Sequence, residues 1–152
     1  MADTPFAFRL VTPQRLLLEE AIVSLQAPGS EGYLGVLAHH AALITALRPG
    51  RLDVRTADGR VLSYAVSGGF LEVSGNRASV LADAAERAGE IDRPRAEAAL
   101  RRAEARLKGR AEGTGGAAGT ATMTETAIDR ARALRALERA KNRLAVSLAA
   151  RG

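Results

Sequence analysis

The sequence has no cysteine, no tryptophan and only two histidines, His39 and His40, among its 152 residues. The absence of cysteine excludes disulfides, thiolate metal sites and cysteine nucleophiles. Two histidines are too few for a multi-histidine metal site within one chain. Aromatic residues make up only 3% of the chain, which argues against modules that stack single-stranded bases on aromatic side chains.

Long apolar runs and targeting signals are also missing. The first ten residues, MADTPFAFRL, lack the basic segment and the apolar run of a signal peptide. No apolar stretch approaches the roughly 20 residues that a membrane-spanning helix needs. We therefore expect a soluble intracellular protein, which is compatible with attachment to a membrane complex.

The first 82 residues have the composition of a β domain. They hold all the aromatic residues and a series of short β-prone runs separated by turn pairs such as Pro49-Gly50 and Asp58-Gly59. Strands at this spacing are typical of an antiparallel β sandwich or barrel. Apolar and charged residues alternate over 52–56, which predicts a half-buried strand, and Asp58-Gly59 then predicts a tight hairpin turn.

From Ala82 onward alanine and arginine dominate, and the sequence predicts a C-terminal two-helix hairpin. Asp92 is a favourable N-cap for a first helix over about 92–108, and Pro94 falls in its first turn. The Gly- and Ala-rich segment 109–119 is expected to end this helix, and a second helix is expected over about 125–150. These patterns divide the chain into a β-sandwich domain, 1–86, and a helical hairpin, 87–152, with a flexible loop at about 109–124.

The net charge of +5 belongs to the second predicted helix. From Ala127 onward there are seven basic and two acidic residues, whereas the first 126 residues carry 15 of each sign. At 100° per residue, one side of this helix collects Leu134, Leu137, Leu144 and Leu148. The opposite side collects Arg132, Arg135, Arg139 and Arg143. This pattern fits either an ordinary amphipathic helix with a solvated basic face or a surface for an acidic partner.

No catalytic constellation is recognisable in the sequence. His39-His40 is the only candidate for a base that titrates near neutral pH. Gly68-Gly69 lies between two predicted strands, so we interpret it as a kink that permits close packing and not as a phosphate-binding loop. Composition and pattern alone therefore indicate a binding or regulatory module.

An ordered set of motifs resembles one known family. The motifs are GSEGYLG at 29–35, HAALITAL at 40–47, RPG at 48–50, VSGGFLEV at 66–73 and IDRPRA at 91–96. Together they resemble the ε subunit of bacterial F-type ATP synthases over almost the whole chain. The resemblance implies a ten-stranded β sandwich followed by a two-helix hairpin, in a non-catalytic subunit of the central rotor stalk.

The resemblance also implies partners and a location. A subunit of this kind binds the γ subunit and the c-ring, helps to couple proton flow to ATP synthesis, and inhibits ATP hydrolysis through its C-terminal helices. It would lie peripherally at the cytoplasmic face of the bacterial inner membrane. Glu31, Tyr33 and His40 match positions near γ and the c-ring, although Tyr33 replaces an acidic residue. The family's PGHAP loop has lost both prolines and its glycine at 38–42, so we expect its backbone to differ.

Two further sets of residues follow from the resemblance. Some members bind a regulatory ATP, the one cofactor considered for this chain. The matching positions are Glu86, Ile91, Asp92, Arg95, Ala96 and Arg102. Arg95 and Arg102 lie on one helix face and can hold phosphates bidentately; the alternative is that Asp92 caps the helix and the arginines are solvated. The inhibitory contact with acidic segments of the α and β catalytic subunits would use Arg132, Arg135, Arg139 and Arg143.

A basic helical hairpin that binds nucleic acid or another acidic partner is the alternative function. The neutral first 126 residues and the lack of a recognition motif weigh against nucleic acid. A stand-alone enzyme is the least favoured class, because the sequence offers no set of catalytic groups.

Overall fold

A computed structural model describes residues 3–112 and 123–149 of the chain. Within these ranges the strands are β1 (Phe6–Val11), β2 (Leu16–Gly29), β3 (Gly32–Val36), β4 (Leu43–Thr56), β5 (Val61–Ser74), β6 (Arg77–Ala82) and β7 (Ala85–Arg87). A short 3-10 helix, Ala88–Glu90, leads into α1 (Arg93–Glu112), and α2 spans Met123–Ala149.

The strands form a sheet that closes on itself. Their order is β1-β6-β5-β4-β2-β3, β1 also pairs with β2, and β7 pairs with β5. Every pairing is antiparallel except β1 with β6, which is parallel. The predicted β sandwich followed by a two-helix hairpin is confirmed, with this one parallel pair as an exception.

Three strands are longer than the sequence predicts. β2, β4 and β5 each span 14 residues. β4 runs through Pro49-Gly50, which was expected to be a turn, and β5 runs through Gly68-Gly69, which was interpreted as a kink. Both glycines of Gly68-Gly69 have a φ of 119°, and a Cβ on Gly69 would lie 2.1 Å from the carbonyl oxygen of Leu81. These residues therefore bend a strand and permit close packing without ending it. The ten strands that the resemblance implies are accordingly seven within the described residues.

The core fills the inside of the closed sheet. The largest fully buried side chains include Phe8, Leu10, Ile22, Leu25 and Leu71, and burying a side chain of this size stabilises the fold by about 1.5–3 kcal/mol. The predicted alternation over 52–56 and the hairpin turn that follows it are both confirmed. In that turn, hydrogen bonds from Thr56 and Arg60 lower the pKa of Asp58 to about 2.

The start of α1 follows the sequence prediction, but its end does not. The N–H of Arg95 donates to Oδ1 of Asp92 at 3.0 Å, so Asp92 is the N-cap. The prediction that the helix ends at Gly109 is wrong, because α1 continues to Glu112. A single glycine costs a helix only about 1 kcal/mol relative to alanine, which a helix packed on its neighbour tolerates. Residues 113–122 of the predicted flexible loop lie outside the described residues.

The hairpin packs through small side chains. Ala96 and Ala103 of α1 are buried, as are Ala133, Ala140 and Ser147 of α2; both sets recur every seven residues. Val146, only 1% exposed, fastens α2 to the β domain in a cluster with Ala65, Ala88 and Ile91. Because these residues provide the contacts, the leucine side of α2 stays partly uncovered. Leu134 and Leu148 are 44% and 55% exposed.

Candidate functional site

The C-terminal half of α2 meets the β domain through an ion pair. The guanidinium of Arg143 donates to Oε1 of Glu86, and each side chain is about one third exposed (33% and 35%). Arg143 was predicted on a basic face that is either solvated or free for an acidic partner. Neither description fits it in this state, because its partner is a carboxylate of its own chain.

Asn142 supplies a second polar contact, which the sequence analysis missed. Its side-chain amide donates to the carbonyl oxygen of Gly50 at 2.9 Å and to that of Val66 at 3.0 Å. Gly50 and Val66 are opposite each other in the β4–β5 ladder. Asn142 is the only asparagine of the hairpin, and this was the one feature of the sequence that could have indicated its polar contact. We refer to Asn142, Arg143 and Val146 as the anchor residues.

A cavity of about 280 Å³ lies beside the ion pair, between the β domain and both helices. Its lining includes Glu86, Asp92, Arg95 and Ala96, four of the six residues predicted to bind ATP, and adds Arg143 from α2. Arg15, on the β1–β2 connection, also lines it. Sequence reasoning did not single out Arg15, because only the fold brings this connection to the start of α1.

The remaining ATP-site predictions have other surroundings. Ile91 packs with Ala65, Ala88 and Val146 in the cluster that holds α2. Arg102 is exposed and is not part of the cavity lining. Asp92 lines the cavity but also caps α1, as the alternative interpretation proposed.

The charges of the cavity lining balance. Three arginines face three carboxylates. Arg15, Arg95 and Arg143 are the basic residues, and Glu86, Glu90 and Asp92 are the acidic ones. An anion would therefore have to compete with carboxylates that are already present, most directly with Glu86 for Arg143.

The three residues predicted to contact γ and the c-ring lie on the β2–β3 hairpin and on the β3–β4 loop. Glu31 is exposed on the β2–β3 turn. Tyr33 is half exposed; its hydroxyl accepts a hydrogen bond from the N–H of Arg51 at 3.1 Å, and the Arg48 guanidinium lies 5.4 Å from its ring centroid. His40 is partly buried on the β3–β4 loop, where its N–H donates to a backbone carbonyl within that loop.

The loop over 38–42 contains one unusual backbone conformation. His39 has a φ of 61°, and its N–H donates to Oδ1 of Asn76 at 2.8 Å. This left-handed region favours glycine, which is the residue of the family pattern at this position. The loss of the glycine has therefore not removed the left-handed conformation, which is held instead by the bond to the β5–β6 turn.

An exposed apolar patch covers the outer face of β4, β5 and β6. Ile44 is 75% exposed, and Phe70 and Leu81 are at least half exposed. Phe70 pairs with Ala46 on one side and with Leu81 on the other, which brings these side chains together. We call Ile44, Ala46, Phe70 and Leu81 the sheet patch. Sequence analysis did not identify it, because its members lie in ordinary strand patterns.

The four arginines predicted to make an inhibitory contact have four different environments. Arg132 is exposed and lies 3.7 Å from a carboxylate oxygen of Asp129. Arg135 is exposed, and Arg139 lines a groove between α1 and α2. Arg143 is paired with Glu86. In this state they do not form a single free basic surface.

Within the described residues, no cluster of three or more His, Asp or Glu side chains is placed to hold a metal ion. None of the described helices is both long enough and apolar enough to span a membrane. A closed β domain with a docked helical hairpin and an exposed apolar outer patch has the features of a binding module.

Comparisons with known proteins identify the family. Residues 5–88 match the family described as "ATP synthase, Delta/Epsilon chain, beta-sandwich domain". An ATP synthase epsilon chain from Syntrophomonas wolfei is 42% identical over 147 residues, covering 97% of both chains. Another from Pelotomaculum thermopropionicum is 51% identical over 107 residues, which is 70% of this chain and 79% of the relative.

A solved structure has the same fold. A chain of the Euglena gracilis mitochondrial ATP synthase, in an assembly of OSCP, F1 and c-ring, superposes with a TM-score of 0.71 at 24% identity. The match covers 97% of this chain and 81% of that one. The chain belongs to the ε-chain family of ATP synthases, and it is a non-catalytic subunit.

Proposed function

We propose that this chain is a central-stalk rotor subunit of a proton-translocating F-type ATP synthase. It helps to couple proton flow to ATP synthesis, and it inhibits ATP hydrolysis through its C-terminal helices. The β domain, residues 1–86, carries the contacts with γ and the c-ring, and the hairpin, 87–152, is regulatory. The observation that carries this proposal is that three anchor residues, at one end of α2, hold the hairpin on the β domain.

The β domain offers surfaces of the kinds that such contacts need. The sheet patch is a contiguous exposed apolar surface, which in soluble proteins marks an interaction site; we assign it to γ. Glu31 and Tyr33 on the β2–β3 hairpin and His40 on the β3–β4 loop provide the contacts with γ and the c-ring. Through this complex the chain lies peripherally at the cytoplasmic face of the inner membrane.

The strength of the anchor is on the scale of a reversible switch. Burial of Val146 is worth about 1.5–2 kcal/mol, and each hydrogen bond of Asn142 contributes about 0.5–1.5 kcal/mol. The partly exposed pair of Arg143 with Glu86 adds about 0.2–1 kcal/mol. A hold of a few kcal/mol can be shifted by a competing partner. Release of the hairpin would free Arg143 to join Arg132, Arg135 and Arg139 in contacting acidic segments of the catalytic subunits.

Regulatory ATP would act at the cavity beside the anchor. Arg95 and Arg143 are placed to receive phosphate oxygens there, with Arg15 as a third cation. The cavity of about 280 Å³ is slightly smaller than the 300–1,000 Å³ typical of ligand pockets, so we expect it to enclose the phosphates and leave the base and sugar outside. Because the phosphates would compete with Glu86 for Arg143, ATP binding would shift the equilibrium between the docked and the released α2.

Two experiments test the proposal. The chain should co-purify with a γ subunit from its own cell, and the assignment fails if it is isolated without one. A complex whose subunit lacks residues 109–152 should assemble normally and hydrolyse ATP faster than the complete complex. Unchanged hydrolysis would remove the inhibitory role while leaving the stalk assignment intact. The matched control substitutes Glu138→Gln, an exposed position of α2, and should leave hydrolysis unchanged.

A further inference from the structure

One peptide group of β4 is hydrogen-bonded by side chains from two distant elements. The carbonyl oxygen of Gly50 accepts a hydrogen bond from Nδ2 of Asn142 at 2.9 Å, and the N–H of Arg51 donates to the hydroxyl of Tyr33 at 3.1 Å. This carbonyl and this N–H belong to the single peptide group between Gly50 and Arg51, which we call the shared peptide. The docked α2 and the β2–β3 hairpin therefore meet at one peptide plane.

The shared peptide lies where the pairing of β4 with β2 is interrupted. β4 pairs with β2 as far as Asp53 and again at Leu47, with a register shift between these two points. Arg51 lies inside the interruption, where the Tyr33 hydroxyl accepts its N–H. Because backbone N–H groups are strong donors that are almost always paired in folded proteins, Tyr33 fixes a part of β4 that the pairing with β2 does not.

The β2–β3 hairpin also packs closely on the shared peptide. Gly50 is buried, and a Cβ there would lie 2.4 Å from the Cβ of Pro28 and 3.2 Å from the Tyr33 hydroxyl. Pro28 and Tyr33 are opposite each other in the β2–β3 ladder. The Arg48 guanidinium lies 5.4 Å from the centroid of the Tyr33 ring, and this attraction favours the position of the ring beside β4. A displacement of the hairpin would therefore reach Gly50 and Arg51 directly.

We propose that Tyr33 is a positioning residue for the docking of α2. A peptide group is planar, so a tilt that lengthens the bond from Arg51 to Tyr33 also turns the Gly50 carbonyl away from Asn142. Hydrogen bonds that follow one another through a peptide group also polarise and strengthen each other. A partner that displaces the β2–β3 hairpin would thereby favour the release of α2.

The regulatory meaning of this coupling rests on the proposed function, which assigns rotor contacts to the β2–β3 hairpin. The coupling itself rests only on the geometry of this chain. It can therefore be tested in the isolated full chain, where neither γ, the c-ring nor ATP hydrolysis influences the result.

The test is a double-mutant cycle read out by thiol labelling. Val146 is only 1% exposed in its cluster, so the thiol introduced by Val146→Cys reacts when α2 is released, and its labelling rate follows the released fraction when α2 redocks quickly. In this background Tyr33→Phe, which removes the accepting oxygen and keeps the ring, should raise the rate by roughly threefold. Asn142→Leu should raise it more, and adding Tyr33→Phe to Asn142→Leu should have no further effect.

The reverse direction provides a second measurement. Because a coupling between two interactions is reciprocal, Asn142→Leu should also speed hydrogen exchange at the Arg51 amide by a similar factor, as measured by nuclear magnetic resonance. A residue that only stabilised the β2–β3 hairpin would not produce this effect. The matched control Ser30→Ala removes another hydroxyl from the same hairpin at an exposed position and should leave both rates unchanged.

Two results would overturn the proposal. Tyr33→Phe could leave the labelling rate unchanged, or it could raise the rate by the same factor with and without Asn142; either result would mean that the two side chains act independently. Circular dichroism should show that all variants keep the folded β domain. Equal ATP hydrolysis by complexes with and without residues 109–152 would instead refute the inhibitory role, and it would leave this coupling intact.

Discussion

Asn142 provides a direct way to weaken the docking of the hairpin without touching the β domain. The substitution Asn142→Leu removes both donors to the carbonyl oxygens of Gly50 and Val66. At about 0.5–1.5 kcal/mol for each hydrogen bond, the docked state should lose about 1–3 kcal/mol, a change of roughly 5–150-fold in the docking equilibrium. Leucine has a higher helix propensity than asparagine, so loss of α2 itself would not account for undocking.

The absence of native cysteine makes the measurement straightforward. Spin labels on Ser74→Cys, in the β domain, and Ala145→Cys, on α2, occupy exposed positions and report their separation by pulsed electron resonance. Asn142→Leu should add a population with longer separations, whereas the control Glu138→Leu, at an exposed position of the same helix, should not. If Asn142→Leu gave the same distance distribution as the unmodified chain, the two hydrogen bonds would not hold the hairpin, and the argument from the anchor residues would fail.

Three further predictions concern the β domain. Gly69→Ala should destabilise the fold by about 2–5 kcal/mol in urea unfolding, because its Cβ would meet the carbonyl of Leu81 at a φ that disfavours side chains; a loss under about 1 kcal/mol would refute the bend argument. His39→Gly should stabilise the fold by about 0.5–1 kcal/mol, because glycine adopts the left-handed conformation of this position without strain. A loss of stability would show that His39 is not strained there. Burial raises the pKa of Tyr64 above 10.0. The stability that its protonated hydroxyl contributes is therefore complete below pH 10 and is lost as the pH rises through the folded-state pKa. Tyr64→Phe should remove this alkaline loss of stability, and an unchanged dependence of the unfolding free energy on pH would contradict the argument.

Local patterns predicted much of the fold. The alternation over 52–56, the Asp58-Gly59 turn and the Asp92 cap each depend on neighbours within a few residues, and each is confirmed. The errors arose where local signals have two outcomes. Pro49-Gly50 can end a strand or lie within it, and Gly109 can end a helix or lie within it; tertiary packing decides between them.

The candidate site was predictable only in part, because it joins distant segments. The motif at the start of α1 indicated Asp92, Arg95 and Ala96, but Arg143 and Arg15 enter the cavity from elements far away in the sequence. The periodicity of α2 separated a leucine side from an arginine side. It did not reveal that small residues and Val146 make the contacts and that leucines remain exposed.

The central claim is that release of the docked hairpin inhibits ATP hydrolysis. A cysteine pair at Ala65 and Val146, which pack in one cluster, would lock α2 onto the β domain when oxidised. The assembled complex should then hydrolyse ATP as fast as the complex lacking residues 109–152, and reduction of the disulfide should restore inhibition. Hydrolysis that is the same in the oxidised and reduced complexes, with the disulfide verified, would contradict the account.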